Sequence, residues 1–128
     1  MDTSAILAFL DADEKRHAKA VKAWNELLDG EATLFCTNYV LVETFALVQN
    51  RLGLEAVRAL AEVVVPLLEV QWVDEEVHRA AVSALLAASR RGLSLVDASS
   101  FEVMRRLGLS RAFALDAHFT EQGFEVTP

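Results

Sequence analysis

The sequence has few of the features that mark secreted or membrane proteins. It contains one cysteine, Cys36, so no disulfide bond can form within the chain, and we predict a reducing, cytoplasmic setting. Its longest apolar stretches, such as YVLVETFALV, carry a glutamate and are shorter than the roughly 20 apolar residues that a membrane-spanning helix needs. No basic segment leads into an apolar stretch at the N-terminus, so no secretion signal is predicted. We expect a soluble chain of 128 residues that folds as a single domain over 1–128.

Basic residues are outnumbered in this chain. Twelve lysines and arginines stand against 19 aspartates and glutamates, which gives a net charge of −7. Most nucleic-acid-binding proteins instead present a basic surface. An acidic cluster that holds metal is counted without its ions, however, and two divalent cations would bring the charge from −7 to −3. Net charge alone therefore does not exclude a nucleic-acid substrate.

Glycine is also scarce, and four of the five glycines follow helix-like stretches, where they fit C-terminal caps. The apolar periodicity between them predicts helices over 4–10, 14–28, 38–52, 54–67, 74–91 and 96–107. Short strands are predicted over 32–37, 68–73, 111–116 and 124–126. Because strands alternate with helices or helix pairs, we predict an α/β fold with a parallel sheet covered by helices. Ligands of such sheets bind at the carboxyl ends of the strands.

Three aspartates stand at this edge, where a strand is predicted to pass into a helix. Asp116 closes RAFALD, Asp97 follows LSLV, and Asp2 would close a strand that ran into the N-terminus. Each aspartate also fits the start of a helix, where it would accept hydrogen bonds from free amides and meet the positive end of the helix dipole. The sequence leaves the capping role and the functional role open for each residue.

Glu43 has no such structural explanation, because it lies in the middle of a predicted helix. The surrounding segment NYVLVETFALV is apolar on all faces, which predicts a buried helix. A buried carboxylate must be paired, protonated or bound to a cation. No lysine or arginine occurs between Glu31 and Asn50, so a local ion pair is excluded. A distant arginine, a metal ion and a protonated core glutamate all remain open.

These acids, if they converge, favour a hard divalent cation such as Mg²⁺ or Mn²⁺, which prefers oxygen ligands. A zinc site is not indicated, because the three histidines are far apart in sequence and the chain has one cysteine. His118 follows Asp116 by two residues and is the histidine nearest to the set in sequence. The residues alone therefore predict an oxygen-ligand site.

The order and spacing of four segments resemble the PIN domain family and, within it, the VapC-type toxins of bacteria and archaea. The segments are DTSAILAFL, TNYVLVET, LSLVDASSFEVMRRLGL and RAFALDAHFTEQGFEV. The resemblance implies a three-layer α/β/α sandwich around a central parallel sheet of about four to five short strands. It implies four catalytic, metal-binding acids and two supporting hydroxyl residues, namely Asp2, Glu43, Asp97, Asp116, Thr3 and Ser4.

Family members are typically Mg²⁺- or Mn²⁺-dependent ribonucleases, often inhibited by an antitoxin and commonly dimeric. The resemblance therefore implies an endoribonuclease that hydrolyses RNA phosphodiester bonds with metal-activated water. It also implies a cognate antitoxin and a homodimer as partners. Arg90, Arg91 and Arg105, with the basic helix face at 15–22, are candidate contacts to the RNA backbone.

Two positions depart from the family pattern. Ala114 replaces the threonine that is usual two residues before the last acid, and only Met1 precedes Asp2, so we expect a truncated first strand. These departures leave open a catalytically weak or inactive PIN-like module that acts through binding or dimerisation. A phosphatase of the haloacid-dehalogenase type would need an aspartate in place of Ser4. A receiver-type phosphoacceptor would need a late lysine, whereas none follows Lys22.

Overall fold

The structure, a computed structural model, describes residues 1–128 and has a mixed α/β fold rich in helix. The α-helices are α1 (Thr3–Leu10), α2 (His17–Asp29), α3 (Asn38–Leu52), α4 (Leu54–Ala59), α5 (Glu75–Ala88), α6 (Leu95–Leu107) and α7 (Ala117–Glu121). The strands are β1 (Leu34–Thr37), β2 (Leu68–Gln71), β3 (Arg111–Phe113) and β4 (Glu125–Thr127). The predicted alternation of helices and strands is therefore confirmed. No helix is both long enough and apolar enough to cross a membrane.

Several predicted boundaries are wrong for local reasons. The helix expected over 54–67 consists of α4, a π-helical turn at Leu60–Val64 and a 3₁₀ turn at Val65–Leu67. Pro66 lies in the last turn, and its missing amide hydrogen prevents a regular α-helix from continuing there. The helix expected over 74–91 ends at Ala88, because Ser89 adopts a left-handed conformation with φ of 49°.

The strands form two small parallel sheets, whereas the sequence predicts one central sheet of four to five strands. β1 pairs with β2, and β3 pairs with β4. Residues 1–2 lie between β1 and β3 and bond to both: the Met1 nitrogen donates to the Phe35 carbonyl at 2.6 Å, and the Asp2 amide donates to the Phe113 carbonyl at 2.9 Å. Two residues are too few to form a regular strand. The N-terminal segment therefore connects the two sheets without merging them.

The apolar residues bury themselves in two adjoining clusters. The larger one has 14 buried members and includes Ile6, Trp24 and Val40. The smaller one consists of Phe101, Met104, Ala112, Ala114 and Phe119. Within it, the rings of Phe101 and Phe119 meet edge to face with centroids 4.9 Å apart, which fixes the short helix α7 against α6. The first turns of α1, α6 and α7 are therefore anchored by core residues close behind them.

Candidate active site

One acidic cleft of about 360 Å³ brings together residues that are far apart in sequence. All four predicted acids line it, as do both predicted supporting residues: Asp2, Glu43, Asp97, Asp116, Thr3 and Ser4. Its other charged lining residues are Asp11, Glu14, Arg16 and Arg51. Six carboxylates thus face two guanidinium groups. This excess of negative charge makes the cleft a cation-binding environment.

Asp2 is held in place at the start of α1. Its side chain is 4% exposed, and its Oδ2 accepts hydrogen bonds from the Ser4 amide at 3.1 Å and the Ser4 hydroxyl at 2.5 Å. The Ser4 hydroxyl in turn accepts a hydrogen bond from the Leu115 amide at 2.9 Å. Ser4 therefore ties Asp2 to the segment that carries Asp116.

Thr3 connects α1 to α3, the helix that carries Glu43. The Thr3 hydroxyl lies 3.4 Å from the Val40 carbonyl and 3.1 Å from the Thr44 hydroxyl, and all three residues are buried. Thr44 also donates to the Val40 carbonyl of its own helix at 2.7 Å. This contact fixes α1 against the residue next to Glu43, so Thr3 supports the site through packing.

Asp97 lies in the first turn of α6 and forms a capping box with Ser94. Its Oδ2 accepts from the Ser94 amide at 3.1 Å, and the Ser94 hydroxyl accepts from the Asp97 amide at 3.0 Å. Burial raises the pKa of Asp97, and the negative charges of Asp2 and Asp116 raise it further against the opposing effect of the Ser94 hydrogen bonds. Asp97 thus lies close enough to both Asp2 and Asp116 for their charges to act on it.

Asp116 caps α7, where its Oδ1 accepts from the His118 amide at 2.9 Å. One ligand atom from each of Asp97, Asp116 and His118 lies within 4.8 Å of the others. The ring of His118 is already engaged, since Nε2 donates to the Gly92 carbonyl at 2.9 Å and Nδ1 lies 3.4 Å from Glu121. Burial by itself lowers the pKa of His118, but Glu121 and the charge of Asp116 outweigh burial and raise it. The bond to Gly92 thus occupies Nε2 of His118 as a donor, and Nδ1 faces Glu121.

The three aspartates share one hydrogen-bonding pattern. Each uses one carboxylate oxygen to bond the backbone at the start of a helix: Oδ2 in Asp2, Oδ2 in Asp97 and Oδ1 in Asp116. The second oxygen of each accepts no hydrogen bond from the chain. The capping role and the functional role that the sequence left open are therefore compatible, because they involve different oxygen atoms.

Glu43 differs from the prediction in one respect. It is half-buried, and its helix is not covered on all sides, since the adjacent Val42 is 70% exposed. The apolar pattern of α3 was a poor guide to burial because one face of the helix has no neighbouring element. No lysine or arginine forms an ion pair with Glu43, so its carboxylate is available to the cleft.

The three predicted RNA contacts lie outside the cleft lining. Arg90 forms an ion pair with Glu121 at 2.6 Å, and Arg105 donates to Gln122 and lies over the ring of Phe124. Arg91 is exposed and forms no ion pair. Of the basic face predicted at 15–22, Arg16 lines the cleft, whereas Lys15, Lys19 and Lys22 do not. Arg51, which was not predicted as an RNA contact, also lines it. Arg51 was accessible to sequence reasoning, because it follows Glu43 and Leu47 at intervals of four residues.

Ala114 marks the position where the family usually has a threonine. It is fully buried in the smaller core cluster and is absent from the cleft lining. The methyl side chain therefore contributes to packing behind α7. The substitution leaves the carboxylates of the cleft in place.

Known proteins resemble this chain over nearly its full length. The model of the PIN domain matches residues 1–125. The 23S rRNA-specific endonuclease VapC20 of Mycobacterium tuberculosis, from strain CDC 1551 / Oshkosh and from strain ATCC 25618 / H37Rv, is 34% identical over 130 residues, which cover 100% of this chain and 97% of the relative.

Two solved structures share the fold. The crystal structure of VapC20 from Mycobacterium tuberculosis, described as a sarcin–ricin loop cleaving toxin, superposes with a TM-score of 0.85 at 34% identity, over 99% of this chain and 97% of that one. FitAcB from Neisseria gonorrhoeae superposes with a TM-score of 0.70 at 15% identity, over 99% of this chain and 94% of that one, and shows the fold alone. The match over residues 1–125 and the full-length relative at 34% identity together show that this chain belongs to the PIN domain family.

Proposed function

We propose that this protein is a divalent-metal-dependent endoribonuclease that hydrolyses RNA phosphodiester bonds, and that it is the toxin of a toxin–antitoxin pair. The observation that carries the proposal is the convergence of Asp2, Asp97 and Asp116 in one cleft, each with one carboxylate oxygen left without a hydrogen bond. The full-length similarity to VapC20, a 23S rRNA-specific endonuclease, supports RNA as the substrate.

The donor set fits Mg²⁺ or Mn²⁺. The free oxygens of the three aspartates, with Glu43, provide hard oxygen ligands, and no lysine or arginine pairs with any of these four acids. Mutually repelling carboxylates without a basic partner are costly to bury unless a cation joins them. We therefore infer that these four acids hold the catalytic ion or ions.

A divalent ion bound there would supply an activated water and neutralise charge on the scissile phosphate. The chain's own residues orient these reactants. Ser4 fixes the direction of the Asp2 carboxylate, and the capping bonds of Asp97 and Asp116 fix theirs. Attack of a water oxygen on phosphorus breaks the bond to the 3′ oxygen, which takes up a proton. The products are a 5′-phosphate and a 3′-hydroxyl, with no covalent intermediate on the protein.

A cognate antitoxin and a homodimer are part of the same proposal. The relative VapC20 is described as a toxin, which supports an inhibitory partner for this chain. Large apolar side chains are exposed on α3, after β2 and on α5, at Val42, Trp72 and Leu86, with exposed fractions of 70%, 76% and 72%. We propose that residues 1–128 form one domain that presents these side chains to such partners.

An inactive binding module is the competing function. Loss of the usual threonine at Ala114 and the short segment before Asp2 motivated it. Ala114 lies in the core, however, and Asp2 lines the cleft with the other three acids. The structure therefore favours the enzyme.

The proposed function predicts metal-dependent cleavage of RNA by the purified chain. The protein is stripped with EDTA and mixed with an RNA hairpin that carries the sarcin–ricin loop of 23S rRNA, with or without Mn²⁺ or Mg²⁺. We expect cleavage with either ion, none in EDTA, and products with 5′-phosphate ends. A total-RNA digest extends the test to other RNA targets. Cleavage that persists in EDTA, or no cleavage of any RNA with metal, would contradict the proposal.

A Ser4→Ala variant tests the positioning of Asp2. The change removes the hydroxyl that donates to Asp2 and leaves the Leu115 amide without its acceptor. We expect stability to fall by about 1–3 kcal/mol. Mn²⁺ affinity should fall by about 10- to 100-fold, as is usual when the support of a ligand is lost. Thermal unfolding and calorimetric titration measure the two effects. Ser83→Ala, an exposed position on α5, is the control, and unchanged Mn²⁺ affinity in Ser4→Ala would contradict the role of Ser4.

A further inference from the structure

Two arginines lie in the otherwise acidic cleft, and neither belongs to the predicted carboxylate set. Arg16 and Arg51 are the cationic side chains among its 15 lining residues. A cleft that binds a metal ion through carboxylates has no need of guanidinium groups for that purpose. Their position calls for a ligand with negative charge, beyond the acids that surround them.

Arg16 is anchored close to Asp116. It precedes α2, and one of its terminal nitrogens donates to the carbonyl of Leu115 at 3.2 Å, across 99 positions of sequence. A weaker contact of 3.8 Å joins its Nε to Glu14, and its side chain remains 53% exposed. A guanidinium group has five N–H donors, so the bond to Leu115 leaves most of them available to a ligand in the cleft. Arg16 is thus a fixed, partly unsatisfied donor beside a proposed metal ligand.

Arg51 belongs to the same helix face as Glu43. Glu43, Leu47 and Arg51 recur every four residues along α3, and all three line the cleft. At 1.5 Å per residue, Arg51 lies about 12 Å beyond Glu43 along the helix axis. The two residues are separated by about two helical turns, which is too far for a direct bond between their side chains. Arg51 would therefore contact a part of a bound ligand that lies away from the carboxylates.

Arg51 is also uncommitted, which most arginines in this chain are not. Six of them pair with glutamates on the surface: Arg16 with Glu14, Arg58 with Glu62, Arg79 with Glu75, Arg90 with Glu121, Arg106 with Glu102 and Arg111 with Glu125. Arg51 forms no ion pair, although acids line the same cleft. An exposed guanidinium without a carboxylate partner keeps its planar, bidentate geometry available for phosphate.

We propose that Arg16 and Arg51 bind the phosphate backbone of the RNA on either side of the bond that is cut, with Arg16 beside Asp116 and Arg51 beyond Glu43. The inference rests on the proposed ribonuclease function, since it names the residues that hold that substrate. It assigns to these two residues the contact that the sequence suggested for Arg90, Arg91, Arg105 and the basic face at 15–22, of which Arg16 lines the cleft. In this arrangement the acids hold metal at the scissile phosphate, and the arginines bind the phosphates that flank it.

The test measures how the affinity for RNA depends on salt. The fluorescein-labelled sarcin–ricin hairpin is titrated with wild-type protein, Arg16→Ala or Arg51→Ala by anisotropy in EDTA, where hydrolysis is halted. Each lost phosphate contact should lower the slope of log affinity against log salt by about 0.7–1. We also expect about tenfold weaker binding near 0.1 M salt and, in Mn²⁺, a raised KM with an unchanged kcat.

Matched variants separate a phosphate contact from a structural role. Arg58→Ala removes the same charge from a site outside the cleft and should leave the salt slope at the wild-type value. Arg16→Lys and Arg51→Lys keep the charge but lose the planar fork, so they should restore the slope while binding RNA more weakly than wild type. If the alanine variants lowered the slope only by disturbing the structure, the lysine variants would not restore it.

The outcomes distinguish this inference from the proposed function. Wild-type cleavage with slopes unchanged in both alanine variants would overturn the inference and leave the ribonuclease intact. Reduced slopes in both variants, with no cleavage by wild-type protein in Mn²⁺, would support the arginine contacts and overturn the proposed hydrolysis. A reduced slope in Arg58→Ala equal to that in Arg51→Ala would also overturn the inference, because the effect would then reflect net charge.

Discussion

An Asp97→Asn variant is expected to lose metal-dependent RNA cleavage by at least about 10³-fold, since a catalytic ion contributes several kcal/mol to transition-state stabilisation. Asparagine has the size of aspartate, and its side-chain oxygen can still accept the hydrogen bond from the Ser94 amide. It carries no charge, however, so it is a poor ligand for a hard divalent cation. Single-turnover cleavage of the RNA hairpin in Mn²⁺ measures the loss.

The same substitution should stabilise the metal-free protein. The pKa of Asp97 is raised in the folded state by burial and then by its acidic neighbours, so the folded state holds a proton more tightly than the unfolded state. Stability therefore falls as pH rises from the ordinary aspartate pKa through the raised one, and it stays reduced at neutral pH. Asparagine removes this penalty. We expect a melting temperature a few degrees above wild type at pH 7 in EDTA, and little difference at low pH.

Asp74→Asn is the matched control for both measurements. Asp74 also caps a helix, and its Oδ1 accepts from the Val77 amide at 2.8 Å, but it does not line the cleft. Its substitution should leave cleavage at the wild-type rate. Cleavage by Asp97→Asn at that rate would show that Asp97 is not a ligand. A lower melting temperature in EDTA would show that its cap matters more than its charge.

Mn²⁺ added to the EDTA-treated wild-type protein is expected to raise its melting temperature by about 10 °C. An ion at about 100 times its Kd stabilises the state that binds it by about 2.7 kcal/mol, and each kcal/mol moves the melting temperature of a domain of this size by about 4 °C. Relief of the repulsion that Asp2 and Asp116 exert on Asp97 is one part of that binding free energy. Differential scanning calorimetry across a Mn²⁺ titration measures it, and excess EDTA should reverse it.

Glu43→Gln identifies the source of that gain. Glu43 is the one acid of the four that caps no helix, so its substitution should leave the metal-free melting temperature close to wild type. Most of the Mn²⁺-dependent gain and the cleavage activity should be lost. Glu69→Gln, an exposed position on β2, should behave as wild type in both respects. An equal gain in wild type and Glu43→Gln would remove Glu43 from the ligand set.

Local sequence was sufficient to locate the acids but not to choose between their roles. Asp97 and Asp116 follow apolar segments, and all three aspartates stand at or beside the start of a predicted helix, a pattern that is visible without any contacts. Which oxygen of each carboxylate accepts the backbone hydrogen bond, and which one stays free, depends on side-chain orientation. The local sequence does not determine that orientation. The burial of Glu43 was misjudged for a related reason, since a helix with apolar residues on all sides still needs neighbours to cover them.

The remaining differences come from contacts between distant segments. The sequence predicted four strands in a parallel arrangement. Their division into two sheets arises because only residues 1–2 lie between β1 and β3 in space, and two residues form no regular strand. The position of Arg16 depends on a bond to Leu115, 99 residues away, and no periodicity in the sequence reports it. Arg90 and Arg105 were attractive as adjacent basic pairs, yet nearby side chains engage them.

The N-terminal segment between the two sheets also affects how far apart the carboxylates lie. Met1 bonds to Phe35 and Asp2 bonds to Phe113, so the backbones of the two sheets are joined along this line. Glu43 extends from the helix that follows β1, whereas Asp116 follows β3, and Asp2 lies on the line itself. Small opening or closing motions of the two halves would therefore be felt as changes in the spacing between the carboxylates. Substitutions that alter these two hydrogen-bonded contacts would therefore change the spacing of the proposed metal ligands without replacing any of the four acids.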